Sequence, residues 1–332
     1  MHPIAQKILV VGGNGFVGSA VCRTALSRGM QVVSISPSGR PWHTPKGHTP
    51  AWVSKVEWHK GNALEPETYE HLLSDVTAVV HTIGTLFEKS GYKSALKDGN
   101  VPRFVSSVAA GISGNKMSAN PLEREQKKRE GSYEALNRDT ALRVCETFLK
   151  STPTVQAIKP RAFIYVSAED CNRPVVPSGY IKTKREAEIL IEKMVQKHPE
   201  YRSVYIRPPL IYHPHFRPIV SPLAALLDLS ATIHAKLPSV FPTPGAVLRT
   251  LGSVMPRPAW ARESLVDSPF DSMARVLTIP PIHVDHVAEA ICIAADNSRT
   301  DVHGTYGLEA IRQLIGYYQK GQKGQQRAGA HA

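Results

Sequence analysis

Tyr180 and Lys184 stand four residues apart in Gly179-Tyr-Ile-Lys-Thr-Lys184. That is one turn of an α-helix, so both side chains leave the same face. A nearby ammonium group favours the phenolate and makes a tyrosine a usable acid or base near neutral pH. No other tyrosine of the chain has a lysine at that offset. Ser167 closes the run Ala-Phe-Ile-Tyr-Val-Ser, where a hydroxyl opposite the tyrosine could hold a substrate carbonyl in line. Alone, such a Tyr/Lys pair is more often a surface pairing than a site. What changes its meaning is the beginning of the chain.

There, Gly12, Gly15 and Gly18 follow the apolar run Ile8–Val11 at G-x-x-G-x-x-G spacing. A tight turn needs the first glycine, close backbone approach to a pyrophosphate needs the second, and helix-on-strand packing needs the third. A helix from about Phe16 to Arg28 would aim its N-terminal N–H groups at that phosphate. Strand, glycines and helix occur in the order a dinucleotide site requires. The loop Gly12, Gly13, Asn14, Gly15, Phe16, Val17 and Gly18 is therefore the expected cofactor cradle.

The elements that must position these groups alternate as they do in a doubly wound parallel sheet, which makes the fold class α/β. Strands are expected at Gln31–Ser36, Val56–His59, Ala78–Thr82, Arg161–Ser167 and Ser203–Arg207, and helices at Tyr133–Lys150 and Gly179–Lys197. The second strand ends in Ser36-Pro-Ser-Gly-Arg40. Enzymes of this architecture that use NAD usually carry an acid there for the ribose hydroxyls. Ser36 and Arg40 in its place favour NADP(H) over NAD(H). The turn after the fourth strand, His81-Thr-Ile-Gly84, would bring Thr82 beside the cofactor. Ser167 falls at the carboxyl end of its strand, where such sheets bind ligands.

The expected organisation is a dinucleotide-binding domain over residues 1–207, interrupted by a polar insertion at about 87–131. A smaller, irregular substrate or capping subdomain would cover 208–318, and a disordered Gln/Gly/Lys-rich tail 319–332. Within the subdomain, Ile219–Met273 is Pro-rich and apolar. Its stretch Leu237–Met255 reads as inward-packing cover, as a lid over a hydrophobic substrate, or as a shallow membrane contact.

Composition and spacing exclude several classes. The 332 residues carry 42% hydrophobic residues and a net charge of +12, an ordinary globular composition with a basic surface. No aromatic-studded basic module accompanies that charge, so nucleic acid is not expected as a partner. Cys22, Cys145, Cys171 and Cys292 lie too far apart for a zinc knuckle and read as free thiols. His213/His215 and His283/His286 lack companion ligands at metal spacing, so no metal site is expected. No uncharged apolar run approaches the ~18 residues of a membrane span. The chain reaches its first strand within a few residues, so a separate signal or transit peptide is not expected, which leaves an organelle with an internal import signal open.

Together these motifs resemble the extended and atypical branch of the short-chain dehydrogenase/reductase superfamily. Gly12–Gly18 resembles its glycine loop and Tyr180–Lys184 its catalytic helix. Arg207-Pro-Pro-Leu-Ile-Tyr212 is similar to the segment passing the nicotinamide, and Ile282–Glu289 to the opening of its C-terminal region. The resemblance implies that Asn137 shapes a proton path, that Ser167, Tyr180 and Lys184 are catalytic, and that Arg207 and Pro208 line the cofactor. Lys184 would also hold the ribose. Ser132–Asp139, Tyr165–Ala168 and Gly179–Glu188 further resemble fungal mitochondrial proteins of coenzyme Q (ubiquinone) biosynthesis, related to a nucleotide-binding accessory subunit of respiratory complex I. That implies an accessory role beside the ubiquinone-synthesising proteins, at the matrix face of the mitochondrial inner membrane and peripheral to it. A hydrophobic quinone-like substrate would be at hand. Only a short Pro-rich loop separates Ser167 from Tyr180, which leaves little room for a nucleotide-sugar pocket. An active NAD(P)-dependent oxidoreductase on a carbonyl or alcohol is the alternative expectation.

Overall fold

The computed structural model describes residues 6–86, 132–154, 160–171, 173, 176–218, 220–237, 243–254 and 268–317. The insertion expected at 87–131 and the tail expected at 319–332 lie outside them.

Strand β1 (Lys7–Val11) leads into helix α1 (Phe16–Ser27), then β2 (Gln31–Ser36), β3 (Val56–Lys60) and β4 (Ala78–His81). A π-helical turn at Glu134–Asp139 runs into α2 (Thr140–Lys150), followed by β5 (Arg161–Val166), α3 (Ser178–Val195) and β6 (Tyr201–Ile206). The sheet order is β3-β2-β1-β4-β5-β6, and all its neighbours pair parallel. Because β1, β4 and β5 are covered on both faces, they are continuous apolar runs rather than alternating ones. Alternation instead decides which layer each residue joins. Ile8, Val10 and Ala78 pack on one face with Val21, Cys22, Val287 and Ile291. Leu9, Val11 and Val79 pack on the other with Val144, Phe148, Ala187 and Ile191.

After β6 the described residues form β7 (Ile211–Tyr212) and the helices α4 (Val220–Lys236), α5 (Pro244–Val254) and α6 (Pro269–Thr278). The expected irregular subdomain is thus helical over these residues. Its prolines are not helix breakers: Pro244 and Pro269 open α5 and α6, and Pro222 lies in the first turn of α4. At that position the missing N–H costs nothing and the fixed φ already suits a helix. Nor does the chain leave the large sheet for good at 207. After β8 (Ile282–His283), helix α7 (Val284–Ala295) packs across α1. Strand β9 (Gly304–Tyr306) then adds a seventh parallel strand beside β6, and α8 (Leu308–Leu314) follows.

Cys22, Cys145, Cys171 and Cys292 are all free and buried, and burial raises each thiol's pKa, Cys171 to about 12. The histidines at 213 and 283 do structural work. His213 Nδ1 accepts from the backbone N–H groups of His215 and Phe216 and its ring stacks on Phe216 at 4.1 Å. His283 Nδ1 accepts from Asp285 N at 3.3 Å, capping α7.

Candidate dinucleotide and tyrosine–lysine site

The glycine loop leaves β1 through Gly12, whose φ of +91° an L side chain rarely adopts. A Cβ at Gly12 would also lie 2.8 Å from Thr82 Oγ1. Thr82 Oγ1 in turn donates to the carbonyls of Val11 at 2.9 Å and Gly12 at 3.2 Å. Thr82 therefore buttresses the loop from beneath. A Cβ on Gly18 would fall 2.2 Å from Gly12 O, so the first turn of α1 rests directly on the loop backbone. Gly15 is the N-cap of α1 and supplies no side chain, and the first turn carries no acid. The leading N–H groups of α1 have no capping side chain and form an anion site of the type a pyrophosphate occupies.

Beside this loop, the end of β2 is a polar nest without a carboxylate. Asn14 Nδ2 donates to Ser36 Oγ at 3.4 Å, Ser38 Oγ at 3.5 Å and the carbonyl of Arg40. Ser36 Oγ also accepts from Gly39 N at 3.1 Å. Asn14 Oδ1 is buried without a partner among the described residues. Arg40 is exposed at the rim. Bare glycines, an uncapped helix start and an orphaned amide oxygen suit a bound dinucleotide.

The tyrosine–lysine pair lies on α3, across the ends of β4 and β5. Lys184 is 2% exposed, and its Nζ donates to Val166 O at 2.9 Å and Ile83 O at 3.4 Å while lying 4.5 Å from the Tyr165 ring centroid. Two strand-end carbonyls thus pin the ammonium between adjacent strands. Tyr180 is partly buried, with its ring edge-on to Tyr133 at 6.5 Å. It packs against the small buried cluster of Ala168, Val176 and Ile181, as Leu86 does.

Ser167 is 3% exposed, and its Oγ accepts from Arg185 Nη1 at 3.2 Å. Arg185 lies roughly 140° around the α3 axis from Tyr180, at 3.6 residues per turn. The Ser167 hydroxyl is thus engaged by a side chain of α3 other than Tyr180, and the next residue, Ala168, belongs to the small buried cluster against which Tyr180 packs. Arg185 pairs with Glu188 at 2.9 Å, and Glu188 accepts from Arg207 Nε at 3.0 Å. The guanidinium of Arg207 is therefore held in this ion cluster. The carbonyl of Pro208 accepts from Glu169 N at 2.9 Å, which ties the segment after β6 to the end of β5.

Asn137 sits fully buried in the π-helical turn, a feature frequent at functional sites. Its Oδ1 accepts from Thr85 N at 2.8 Å, and its Nδ2 donates to Thr85 O at 3.2 Å and Thr183 Oγ1 at 3.4 Å. Its carbonyl accepts from the Tyr165 hydroxyl. The residue clamps the loop after β4 to both α2 and α3.

His81 was not singled out from the sequence. It is fully buried at the end of β4, 5.7 Å from the Tyr165 ring, and neither ring nitrogen has a partner among the described residues. Burial first, and then the Lys184 ammonium, push its pKa down to about 3. The one available signal was a titratable residue closing an otherwise apolar strand.

Comparison with known proteins is consistent with this geometry. Residues 8–102 match the model of the NAD dependent epimerase/dehydratase family. MIOREX complex component 2 of Saccharomyces cerevisiae is 35% identical over 214 residues, covering 63% of this chain and 74% of the yeast protein. The chain belongs to the epimerase/dehydratase family of short-chain dehydrogenase/reductases. That family binds NAD(P). An uncharacterized chloroplastic protein of Arabidopsis thaliana is 26% identical over 93% of this chain and 77% of its own length. Among solved structures, a 3-oxoacyl-[acyl-carrier protein] reductase from Brucella melitensis superposes with a TM-score of 0.51 at 12% identity. The superposition covers 92% of this chain and 95% of that one, a likeness of fold.

Proposed function

We propose that this member of the epimerase/dehydratase family holds NADP(H) chiefly as a structural ligand and serves mitochondrial ubiquinone biosynthesis as an accessory, modulatory component. The observation that carries the accessory reading is the Ser167 hydroxyl, buried and engaged by Arg185 Nη1 at 3.2 Å. A carbonyl reductase of the Ser/Tyr/Lys type needs its hydroxyl and its phenol on one substrate oxygen. Here the serine hydroxyl already accepts from Arg185, which supports a site kept for binding more than for turnover.

The backbone around Gly15 and the start of α1 would hold the pyrophosphate. Ser36, Ser38 and Arg40 would receive the ribose end. Arg40 and the missing carboxylate at the end of β2 favour a 2′-phosphate, hence NADP(H). When bound, the nicotinamide supplies hydride chemistry. Lys184, pinned at the ends of β4 and β5, and Asn137, clamping the next loop, would keep that region shaped with or without turnover. A mitochondrial setting is supported by the likeness of segments 132–139 and 179–188 to the fungal quinone-pathway proteins. The yeast relative's name as a complex component and the plant relative's as chloroplastic support an organellar assembly.

A second reading, an active NAD(P)-dependent oxidoreductase using Ser167, Tyr180 and Lys184, draws on one observation: Tyr180 and Lys184 share a face of α3, with the lysine 2% exposed. Coenzyme Q content in fungal cells lacking the protein separates the readings, on rescue with wild type or Tyr180→Phe. Full rescue by the variant supports the accessory role. A variant that stays folded and dinucleotide-bound yet fails to rescue establishes catalysis. Unchanged quinone levels in the deletion strain remove the ubiquinone assignment.

A further inference from the structure

We infer that the cleft bordered by α4, α7 and α8 is a second anion site, built for a small phosphomonoester and separate from the dinucleotide cradle. In the sequence it is marked by His283 and His286. The first caps α7 and the second lies in its opening turn, three residues on and so beside it on the helix surface. Their rings are 6.1 Å apart, and the row continues on both sides. Tyr212 of β7 meets His283 edge-on at 5.4 Å, and Tyr317, beyond α8, lies 5.1 Å from His286. The Arg312 guanidinium of α8 stands 5.7 Å from the Tyr317 ring centroid. With Ser221 and Asp228 of α4, these groups line one cavity of about 320 Å³. None of them belongs to the glycine loop or to the Tyr180–Lys184 pair.

The polar groups of this cleft are not used up by one another. Ser221 Oγ is buried and has no hydrogen-bond partner among the described residues, an arrangement that folded proteins rarely leave without a reason. Arg312 is half-buried and forms no ion pair among the described residues. Nor does a hydrogen bond among them engage the His286 ring or the Tyr212 and Tyr317 hydroxyls. Burial first, then the charges of His283 and Arg312, lower the His286 pKa against the opposing pull of Asp285. Asp285 is itself paired with Arg23 of α1. Cationic groups are thus gathered more closely than the carboxylates around them offset, and a bound anion relieves that crowding.

The origin of the donors selects the ligand. Arg312 comes from α8, His286 from α7, Tyr212 from β7, Ser221 from α4 and Tyr317 from the segment after α8. A carboxylate is planar, and one guanidinium fork can satisfy it. Donors arriving from several segments suit a tetrahedral group with three terminal oxygens and a charge approaching −2. Asp228, the one carboxylate lining the cleft, is exposed and can accept from a hydroxyl of the ester's organic part. The cavity volume, at the low end for ligand pockets, matches a small ester.

The inference does not depend on the role in quinone synthesis or on turnover at Tyr180, because its readout is local. Inorganic phosphate and glycerol 3-phosphate are titrated into the full-length chain at constant ionic strength, and the histidine ring protons are followed by NMR. The His286 signals are identified by their loss in His286→Gln. Both ligands are expected to move those signals with a Kd of about 1 mM or below. Arg312→Gln is expected to lose at least about tenfold in affinity for both. Tyr317→Phe removes one oxygen from a side chain that is 46% exposed, so it leaves the fold intact and is expected to lose about threefold. It decides the matter alone if Arg312→Gln does not fold. His286 signals that stay still up to about 10 mM phosphate, ten times that Kd, would overturn the inference. So would undiminished affinity in Tyr317→Phe and in folded Arg312→Gln, or acetate binding as tightly as phosphate.

Discussion

Gly15 and Gly18 lie three residues apart, yet alanine at each should do a different kind of damage. At Gly18 a Cβ would fall 2.2 Å from the carbonyl oxygen of Gly12 and 2.8 Å from Gly13 Cα. Both contacts are backbone atoms of the loop itself, so relief requires α1 to lift off β1. An overpacking cost of about 3 kcal/mol follows, lowering Tm by roughly 5 °C or more. At Gly15 the backbone is at φ −75° and ψ 172°, which alanine adopts freely, and the nearest atom to a new Cβ is Gly12 O at 3.1 Å. Stability of the ligand-free chain should change by less than about 1 kcal/mol. The new methyl would instead crowd the uncapped start of α1, costing at least about 1.4 kcal/mol, or tenfold, in NADP(H) affinity. Thermal unfolding without ligand and calorimetric titration with NADP(H) measure the two quantities separately. If Gly15→Ala binds NADP(H) as tightly as wild type, the pyrophosphate does not approach that backbone and the cradle is misassigned.

Two further outcomes follow from the buried polar groups around α3. The folded chain holds His81 neutral down to about pH 3, whereas an unfolded histidine takes up its proton near pH 6.5. Below that value the unfolded state binds the extra proton, so stability present above pH 6.5 is lost as pH falls toward 3, at about 1.4 kcal/mol per unit. Urea midpoints at pH 7 and pH 5 should therefore separate for wild type and draw together in His81→Leu; equal separations in both proteins would show that the ring is solvated. Asn137→Ala leaves Thr85 N and Thr85 O without their partner, which should lower stability by about 3 kcal/mol in denaturant unfolding. Asn137→Asp should recover little, because the groups facing Nδ2 need a donor; an aspartate variant as stable as wild type would refute the clamp.

Much of the fold was legible because its information is local. Buried parallel strands are unbroken apolar runs, and β2 was placed to the residue, with β1, β3 and β4 within one. The glycine loop is readable from spacing alone. The C-terminal helices were not, since a proline carries opposite meanings inside a helix and in its first turn, and only the structure shows Pro222, Pro244 and Pro269 in first turns. The pairing of Tyr180 with Lys184 on one face follows from helical periodicity. Which residue at the end of β5 faces them does not. The Ser167 hydroxyl accepts from Arg185 while Ala168 joins a small apolar cluster, and no one-dimensional pattern distinguishes these consecutive residues. The pairing of Arg207 with Glu188 was not legible either, because the two residues lie on different elements.

Helix α7 and strand β9 have a consequence for how this protein is made. Val21 and Cys22 on α1 are buried in the same cluster as Ile291 and Cys292 on α7, and Arg23 and Arg28 pair with Asp285 and Glu289. The α1 face of the dinucleotide domain is thus sealed by residues that follow it by 262 and 261 positions at the two ion pairs. A nascent chain stalled before residue 284 presents an open apolar wall. Vectorial folding cannot finish the domain strand by strand, and closing a loop of this length is a slow event. The α1 wall therefore stays open until α7 has been made and can fold back onto it.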